Sequence, residues 1–233
     1  MNTSNLALNG VSVAAADRQV LDGVDLTIEA TGFTVIAGPS GAGKSSLLRL
    51  LNRLDVPSSG TVTWRGDDLS TLDVCAHRRE VGYVAQHPVL FEGTAADNLA
   101  VADPSLSPDG RRALLARVGL GDIADQEART LSGGEAQRLC LARTLATGPK
   151  VILADEPTAS LDAEATRLIE QLAVDLARRD AVAWIWVSHD PAQIGRLADT
   201  VVVMADGTVE ATGTIADLAT HTDPTVRQAV GAQ

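Results

Sequence analysis

The sequence is poor in cysteine, which limits the sites and compartments open to the protein. Its two cysteines, Cys75 and Cys140, are far apart and show no metal-binding spacing. His77 lies close to Cys75, but two potential ligands are too few for a metal site. We therefore expect two ordinary thiols in a reduced, cytosolic protein.

Long hydrophobic runs are also missing. The longest apolar run, residues 181–187, has the length of a strand, whereas a membrane-spanning helix needs roughly 18 apolar residues. Residues 1–10 carry no positive charge ahead of an apolar block, so they do not predict a secretory signal. The sequence therefore predicts neither a membrane span nor a signal peptide.

Positive charge is scarce, since 19 Lys and Arg residues stand against 30 Asp and Glu residues and the net charge is −11. Nucleic-acid binding needs cations that neutralise phosphates, so no nucleic-acid partner is expected. A site for any polyanion must work against this field, using backbone N–H groups, a lysine and a metal ion.

What the sequence does contain is an alternation of apolar runs and helical patterns. With 233 residues, 45% of them hydrophobic, the chain can bury a sizeable core. Strands that alternate with amphipathic helices indicate an α/β fold with a mainly parallel sheet. The predicted strands are 33–37, 60–64, 81–85, 151–154, 181–187 and 201–204, after short strands within 6–28 that are broken at Gly10, Asp17–Arg18 and Asp22–Gly23. The predicted helices are 44–54, 135–147 and 163–179, with a helix start at Asp190–Pro191 and a helical insert over 97–120.

Residues 38–45, GPSGAGKS, match the phosphate-binding pattern G-x-x-x-x-G-K-[ST]. The glycines let successive backbone N–H groups point at phosphate oxygens, and the following helix adds its positive N-terminal end. Lys44 is expected to reach the β- and γ-phosphates, and the Ser45 hydroxyl to ligate Mg²⁺. The predicted nucleotide-binding residues of this segment are Gly38, Pro39, Ser40, Gly41, Ala42, Gly43, Lys44, Ser45 and Ser46.

Two carboxylates, Asp155 and Glu156, directly follow the apolar run 151–154. Open α/β sheets bind ligands at the carboxyl ends of their strands, which would place both side chains beside the phosphate loop. Asp155 is expected to hold Mg²⁺, directly or through water. Glu156 is expected to polarise the attacking water as a general base.

A second predicted anion site lies at residues 131–135, LSGGE, just before a predicted helix. Ser132 is a plausible helix cap, while Gly133 and Gly134 leave backbone N–H groups uncovered at the positive helix end. One chain therefore carries two anion sites that are far apart in the sequence.

These motifs resemble those of the nucleotide-binding subunit of an ABC transporter, and the resemblance covers nearly the whole chain. Residues 131–135 match that family's signature segment, and Gln86 stands where the family has its glutamine loop. Residues 160–162 resemble the D-loop, and His189 resembles the switch histidine. The resemblance implies one ABC ATPase domain over 1–233. It would have a P-loop NTPase (RecA-like) α/β core and an antiparallel β subdomain over 1–86 and 134–233, and a helical insert with the signature motif over 87–133.

The resemblance also implies roles for these residues. Two subunits, as a homodimer or with a paired ATPase subunit, would hold ATP between the phosphate loop of one chain and the signature segment of the other. The residues implied on the second side are Ser132, Gly133, Gly134, Glu135 and Asp162. The implied catalytic residues are Glu156, His189 and Gln86, and the implied Mg²⁺ ligands are Ser45, Gln86 and Asp155.

Aromatic residues make up only 3% of the chain, and none precedes Phe33. Members of the family usually carry an aromatic near the start that stacks on adenine. The aligned positions here are Ala14, Ala15 and Ala16. We therefore expect phosphate and Mg²⁺ contacts to dominate nucleotide binding, with loose selectivity for the base.

By resemblance, the chain is a transport ATPase subunit that works with a separate transmembrane permease, on the cytoplasmic face of the cell membrane. The pattern AWIWVSHD at 183–190 is similar to a small exporter-type group linked to iron homeostasis. Import of an amino acid or phosphate is the alternative. A non-transport ABC ATPase is less favoured because it usually has long coiled-coil inserts or two cassettes. A binding module without hydrolysis is disfavoured by the presence of both Glu156 and His189.

Overall fold

A six-stranded sheet forms the centre of the protein, in a computed structural model that describes residues 5–15 and 18–232. The strand order is β10-β9-β3-β8-β7-β6, and all pairs are parallel except β10 with β9. The strands are β3 (Phe33–Ala37), β6 (Val81–Val84), β7 (Val151–Asp155), β8 (Ala183–Val187), β9 (Thr200–Ala205) and β10 (Thr208–Gly213). Because the strands are parallel, their carboxyl ends meet at one edge of the sheet, where the predicted site residues follow β3, β7 and β8.

A second, antiparallel sheet has the order β2-β1-β4-β5. Its strands are β1 (Asn5–Ala15), β2 (Arg18–Glu29), β4 (Ser59–Trp64) and β5 (Asp67–Asp68). The predicted breaks at Gly10 and Asp22–Gly23 are wrong, because the strands continue through both positions. The β1–β2 register shifts between Leu8 and Val11, and Gly10 and Gly23 both take left-handed φ angles. Bulges therefore absorb these residues, as glycine permits.

Nine α-helices are found within residues 5–15 and 18–232. They are α1 (Lys44–Leu51), α2 (Val74–Glu80), α3 (Ala95–Ala102), α4 (Pro108–Arg117), α5 (Gly133–Ala146), α6 (Ala163–Asp180), α7 (Pro191–Leu197), α8 (Ile215–Ala219) and α9 (Pro224–Ala229). Helix α1 ends at Leu51, three residues before its predicted end, because Arg53 takes a left-handed φ of 55°. The strand predicted from residue 181 begins at Ala183, since Ala181 is the left-handed C-cap of α6. None of the helices found in the described residues is long and apolar enough to cross a bilayer.

The central sheet separates two hydrophobic clusters because successive side chains of a strand point to opposite faces. Ile36, Leu153 and Ile185 pack with α1 and the antiparallel sheet. Val35 and Ile152, on the other face, pack against α6 and the C-terminal helices. The alternation of side chains along each strand thus buries one cluster on each face of the central sheet.

A third cluster lies among α3, α4 and α5, with Leu99, Leu115 and Leu139 fully buried. It occupies the predicted helical insert, but Leu139 belongs to α5, which lies beyond the predicted boundary at residue 133. The division of the chain at 87 and 133 stays a prediction. The parallel core, the antiparallel sheet and the helical segment together agree with the predicted P-loop ABC ATPase fold class.

Candidate nucleotide site

The loop between β3 and α1 is shaped by glycines that no other residue can replace without strain. Gly38 has a φ of 144°, and a Cβ there would clash with the carbonyl oxygen of Met204 on β9. Gly43 has a φ of 95°, and a Cβ there would stand 2.6 Å from a methyl group of Leu21. These backbone conformations strongly favour glycine, so the loop's path depends on its own glycines and on packing against both sheets.

Lys44 lies at the start of α1 and is only 6% exposed. Its Nζ donates hydrogen bonds of 2.9 Å to the carbonyl oxygens of Gly38 and Pro39, so the side chain folds back over the loop. Burial lowers the pKa of the ammonium group, while the carboxylates of Glu156 and Asp155 act in the opposite direction. A buried cation inside a glycine loop at a helix N-terminus fits a bound phosphate chain.

Asp155, at the end of β7, is held from two sides. The Ser45 hydroxyl donates a 2.8 Å hydrogen bond to Oδ1, and the Tyr83 hydroxyl donates one of 2.8 Å to Oδ2. Tyr83 was not predicted. Its strand β6 pairs in parallel with β7, which brings Tyr83 beside the end of that strand. Burial and the neighbouring Asp155 raise the pKa of Tyr83, so its hydroxyl stays a donor at neutral pH.

The oxygen atoms around Asp155 suit a hard divalent cation. Ser45 Oγ and Asp155 Oδ1 already lie together at 2.8 Å. Over residues 5–15 and 18–232, no group of three or more His, Cys, Asp or Glu side chains could hold a metal ion. The Ser45–Asp155 pair fits Mg²⁺, which proteins bind through one or two carboxylates together with phosphate oxygens.

Glu156 and His189 come together although they are 33 positions apart in the chain. Glu156 follows β7 and His189 follows β8, and these strands are parallel neighbours. His189 Nδ1 lies 3.3 Å from Glu156 Oε2. Glu156 has a φ of 43°, in the left-handed region that a non-glycine residue seldom adopts. Such strain is typical of a functional site.

A buried polar cluster lies behind this pair and was not predicted. The amide of Gln193, on α7, donates to Thr158 Oγ1 at 3.0 Å and to Glu170 Oε1 at 2.8 Å. Its oxygen accepts from the Trp186 indole at 3.2 Å. Arg196 completes the cluster with two hydrogen bonds to the Glu170 carboxylate. The cluster joins the turn after Glu156 to the strand that precedes His189.

The signature segment, residues 131–135, forms a capping box at the start of α5. Ser132 caps α5, where its hydroxyl and its backbone N–H both donate to the Glu135 carboxylate, at 2.7 and 2.8 Å. Gln137, one turn later, donates to the carbonyl oxygen of Ala85 at 3.0 Å. Helix α5 is thus tied to the segment that carries Gln86.

One cleft of ≈ 400 Å³ collects part of the predicted site. The phosphate loop lines it together with Gln86, Glu156, Arg18 and Val20. Residues 132–135 and Asp162 do not line it. The Asp162 side chain instead caps α6 by accepting a hydrogen bond of 2.8 Å from the backbone of Ala165. Of the predicted adenine positions, Ala14 and Ala15 end β1, and Ala16 lies outside the described residues.

A glycine loop with a buried lysine, an adjoining serine–aspartate pair and a glutamate beside a histidine define a P-loop nucleotide hydrolase. The family model described as ABC transporter matches residues 21–159. The chain belongs to this family. This confirms the prediction of an ATP-binding, ATP-hydrolysing subunit of an ABC transporter. Subunits of this family dimerise and work with a transmembrane permease.

Several curated proteins are similar over most of the chain. ABC transporter I family member 17 of Arabidopsis thaliana is 41% identical, over 84% of this chain and 77% of its own length. The lipoprotein-releasing system ATP-binding protein LolD of Anaeromyxobacter dehalogenans is 40% identical, over 83% and 86%. The methionine import ATP-binding protein MetN 1 of Pseudomonas fluorescens is 39% identical, over 94% and 69%.

Solved structures agree with the fold. A bacterial Atm1-family ABC exporter with ATP bound superposes with a TM-score of 0.86 at 28% identity. It matches all of this chain, which spans 43% of the length of the exporter chain. The cbiO1 protein of Clostridium perfringens, part of the transporter complex cbiONQ, gives a TM-score of 0.81 at 27% identity, over 91% and 89% of the two chains.

Proposed function

We propose that this chain couples Mg²⁺-dependent ATP hydrolysis, in a dimer that encloses the nucleotide, to transport through a separate membrane permease. The permease would hold it at the cytoplasmic face of the cell membrane. The observation that carries the proposal is the convergence of Lys44, the Ser45–Asp155 pair and the Glu156–His189 pair at one edge of the sheet. These residues follow or end three strands, β3, β7 and β8, and together they supply a cation, metal ligands and a base.

Binding and charge neutralisation belong to the loop and its surroundings. Backbone N–H groups of residues 38–46 and the Lys44 ammonium would hold the phosphates. Ser45, Asp155 and Gln86 would hold Mg²⁺, which supplies positive charge against the phosphate oxygens. Tyr83 keeps the Asp155 carboxylate turned towards Ser45 through its own hydrogen bond.

Hydrolysis needs a base and a group that orients it. Glu156 accepts a proton from water while the water oxygen forms a bond to the γ-phosphorus. The bond from that phosphorus to the β,γ-bridging oxygen breaks, which releases ADP, and the proton leaves with the inorganic phosphate. His189, 3.3 Å from Glu156, orients the carboxylate.

The arrangement of the signature segment supports a second chain at the site. Ser132 and Gly133 are exposed and do not line the cleft that holds the phosphate loop. In the proposed dimer, Ser132, Gly133, Gly134 and Glu135 of one subunit and Asp162 approach the nucleotide bound to the other. The exposed Gly133 lies at the positive end of the α5 helix dipole, which suits an anion.

The direction of transport and the cargo belong to the finer part of the proposal. An exporter-type function is supported by the likeness to the Atm1-family exporter and to LolD of a lipoprotein-releasing system. Import of an amino acid is the second candidate, because the methionine import protein MetN 1 is similar over 94% of this chain. The link to iron homeostasis stays a prediction from the sequence. The permease that co-purifies with this chain can be reconstituted in vesicles. Comparing its transport of a lipoprotein with its transport of methionine would separate the two candidates.

The experiment that tests the ATPase proposal compares Glu156→Gln with Lys44→Ala. Glu156→Gln keeps the shape of the side chain but loses its basicity, so we expect hydrolysis to fall roughly 10²–10⁴-fold with ATP still bound. Light scattering should then detect an ATP-trapped dimer. Lys44→Ala should lose tight nucleotide binding. Glu164→Gln, an exposed change on α6, is the matched control. A near-normal rate for Glu156→Gln, or normal affinity for Lys44→Ala, would contradict the assignment.

A further inference from the structure

Two different sheets line the nucleotide cleft. The loop, Glu156 and Gln86 belong to the central parallel sheet and its connections, whereas Arg18 and Val20 belong to β2 of the antiparallel sheet. The proposed chemistry takes place around Asp155 and Glu156. The antiparallel wall of the cleft supplies none of the residues assigned to the reaction and is available for the rest of the nucleotide.

Arg18 lies on that wall close to the turn of the phosphate loop. Its terminal nitrogen is 3.9 Å from the point where a Cβ on Gly41 would stand. The side chain is exposed, and none of the ion pairs found among residues 5–15 and 18–232 involves it. An exposed guanidinium group, with no ion-pair partner among the described residues, thus stands at the edge of the cleft in an acidic protein.

The register of the β1–β2 hairpin explains why there is open space beside the Arg18 side chain. Ala15 and Arg18 are direct cross-strand partners in the β1–β2 hairpin, so their side chains share one face of the sheet. Ala15 ends at Cβ and leaves room beside the longer side chain. In the part of the chain that the structure describes, the cleft has no aromatic side chain in its lining.

We propose that the planar guanidinium group of Arg18 stacks on the purine base of the bound nucleotide. The inference rests on the proposed nucleotide site and adds the residue that binds the base. Arginine stacks on flat π systems, which lysine cannot do because its ammonium is a compact point charge. Every purine offers a π face, so this contact holds the base without distinguishing adenine from guanine.

The experiment titrates ADP, GDP and inorganic pyrophosphate by calorimetry, because none of them is hydrolysed at the site. Arg18→Ala should weaken ADP and GDP binding about tenfold each and leave pyrophosphate binding unchanged. GDP should bind the wild-type chain within about tenfold of ADP. Arg18→Lys keeps the charge and loses the plane, so it should behave like Arg18→Ala. Adding Ala15→Tyr to Arg18→Ala should restore ADP affinity, since a ring returns to the same face of the hairpin.

Other outcomes are equally decisive. Full ADP affinity in Arg18→Lys, or loss of pyrophosphate binding in Arg18→Ala, would mean that Arg18 contacts phosphate and would overturn the proposal. Unchanged ADP affinity in Arg18→Ala would also overturn it. Lys44→Ala serves as the reference for the site itself. If that variant bound both ADP and pyrophosphate normally, the nucleotide site would be wrong independently of Arg18.

Discussion

Replacing Gln193 should lower the stability of the protein and its rate of hydrolysis while leaving its nucleotide affinity unchanged. Its amide contacts Trp186, three positions before His189, and Thr158, two positions after Glu156. It is 6% exposed, so these hydrogen bonds are made in a largely buried setting. Gln193→Leu fills a similar volume and removes these two hydrogen bonds as well as the one donated to Glu170.

The stability change follows from the groups left without partners. The Trp186 indole N–H and the Thr158 hydroxyl each lose a hydrogen bond in a buried setting. A buried polar group without a partner costs about 1–3 kcal/mol. Glu170 keeps both hydrogen bonds from Arg196. We therefore expect a loss of about 2–6 kcal/mol in the free energy of unfolding, because the two contributions sum.

Urea unfolding and steady-state hydrolysis measure the two consequences. With an m value of about 3 kcal/mol/M, the midpoint should fall by roughly 0.7–2 M. The hydrolysis rate constant should fall at least about tenfold, because small displacements of catalytic groups are costly. ADP affinity should not change, since Gln193 does not line the nucleotide cleft. The control is Gln171→Leu, an exposed glutamine on α6. A loss below about 1 kcal/mol, or an unchanged rate constant, would refute the role given to this cluster.

Two further predictions concern a buried histidine and a loop glycine. Burial lowers the pKa of His77, whose Nε2 contacts the Leu51 carbonyl oxygen at 2.8 Å. Below about pH 6.5 the unfolded chain therefore binds a proton that the folded chain excludes, and the free energy of unfolding falls as the pH falls. His77→Gln should remove this part of the dependence of the unfolding free energy on pH, which is at most about 1.4 kcal/mol per pH unit. Urea unfolding at pH 5.5, 6.5 and 7.5 measures it. An identical pH dependence in the variant would contradict the assignment. Gly38→Ala should lower both ADP affinity and stability, the latter by roughly 1–3 kcal/mol, because its Cβ clashes with Met204. Gly195→Ala has open space on α7 and should be neutral or stabilising, so equal effects of the two alanines would count against the strained loop.

The sequence by itself determined the nucleotide chemistry and the fold class. The phosphate loop is a contiguous segment whose glycines, lysine and serine act through local backbone conformation, so eight residues carry the information. Asp155 and Glu156 were predictable because an apolar strand followed by carboxylates points to the ligand edge of a parallel sheet. The short elements α2, α8 and α9 were missed, since five to seven residues show too little periodicity to stand out.

Only the tertiary structure decided which side chains support that chemistry. Tyr83 reaches Asp155 across 72 positions because β6 and β7 are neighbours, and no local pattern encodes the order of strands in a sheet. Gln193 joins the turn after Glu156 to β8 because α7 packs against the central sheet. Arg18 faces the cleft because a shifted hairpin register sets it opposite Ala15. A sequence motif predicts the local conformation of the segment that contains it. Contacts between distant segments depend on how strands pair and helices pack, which the whole chain determines together.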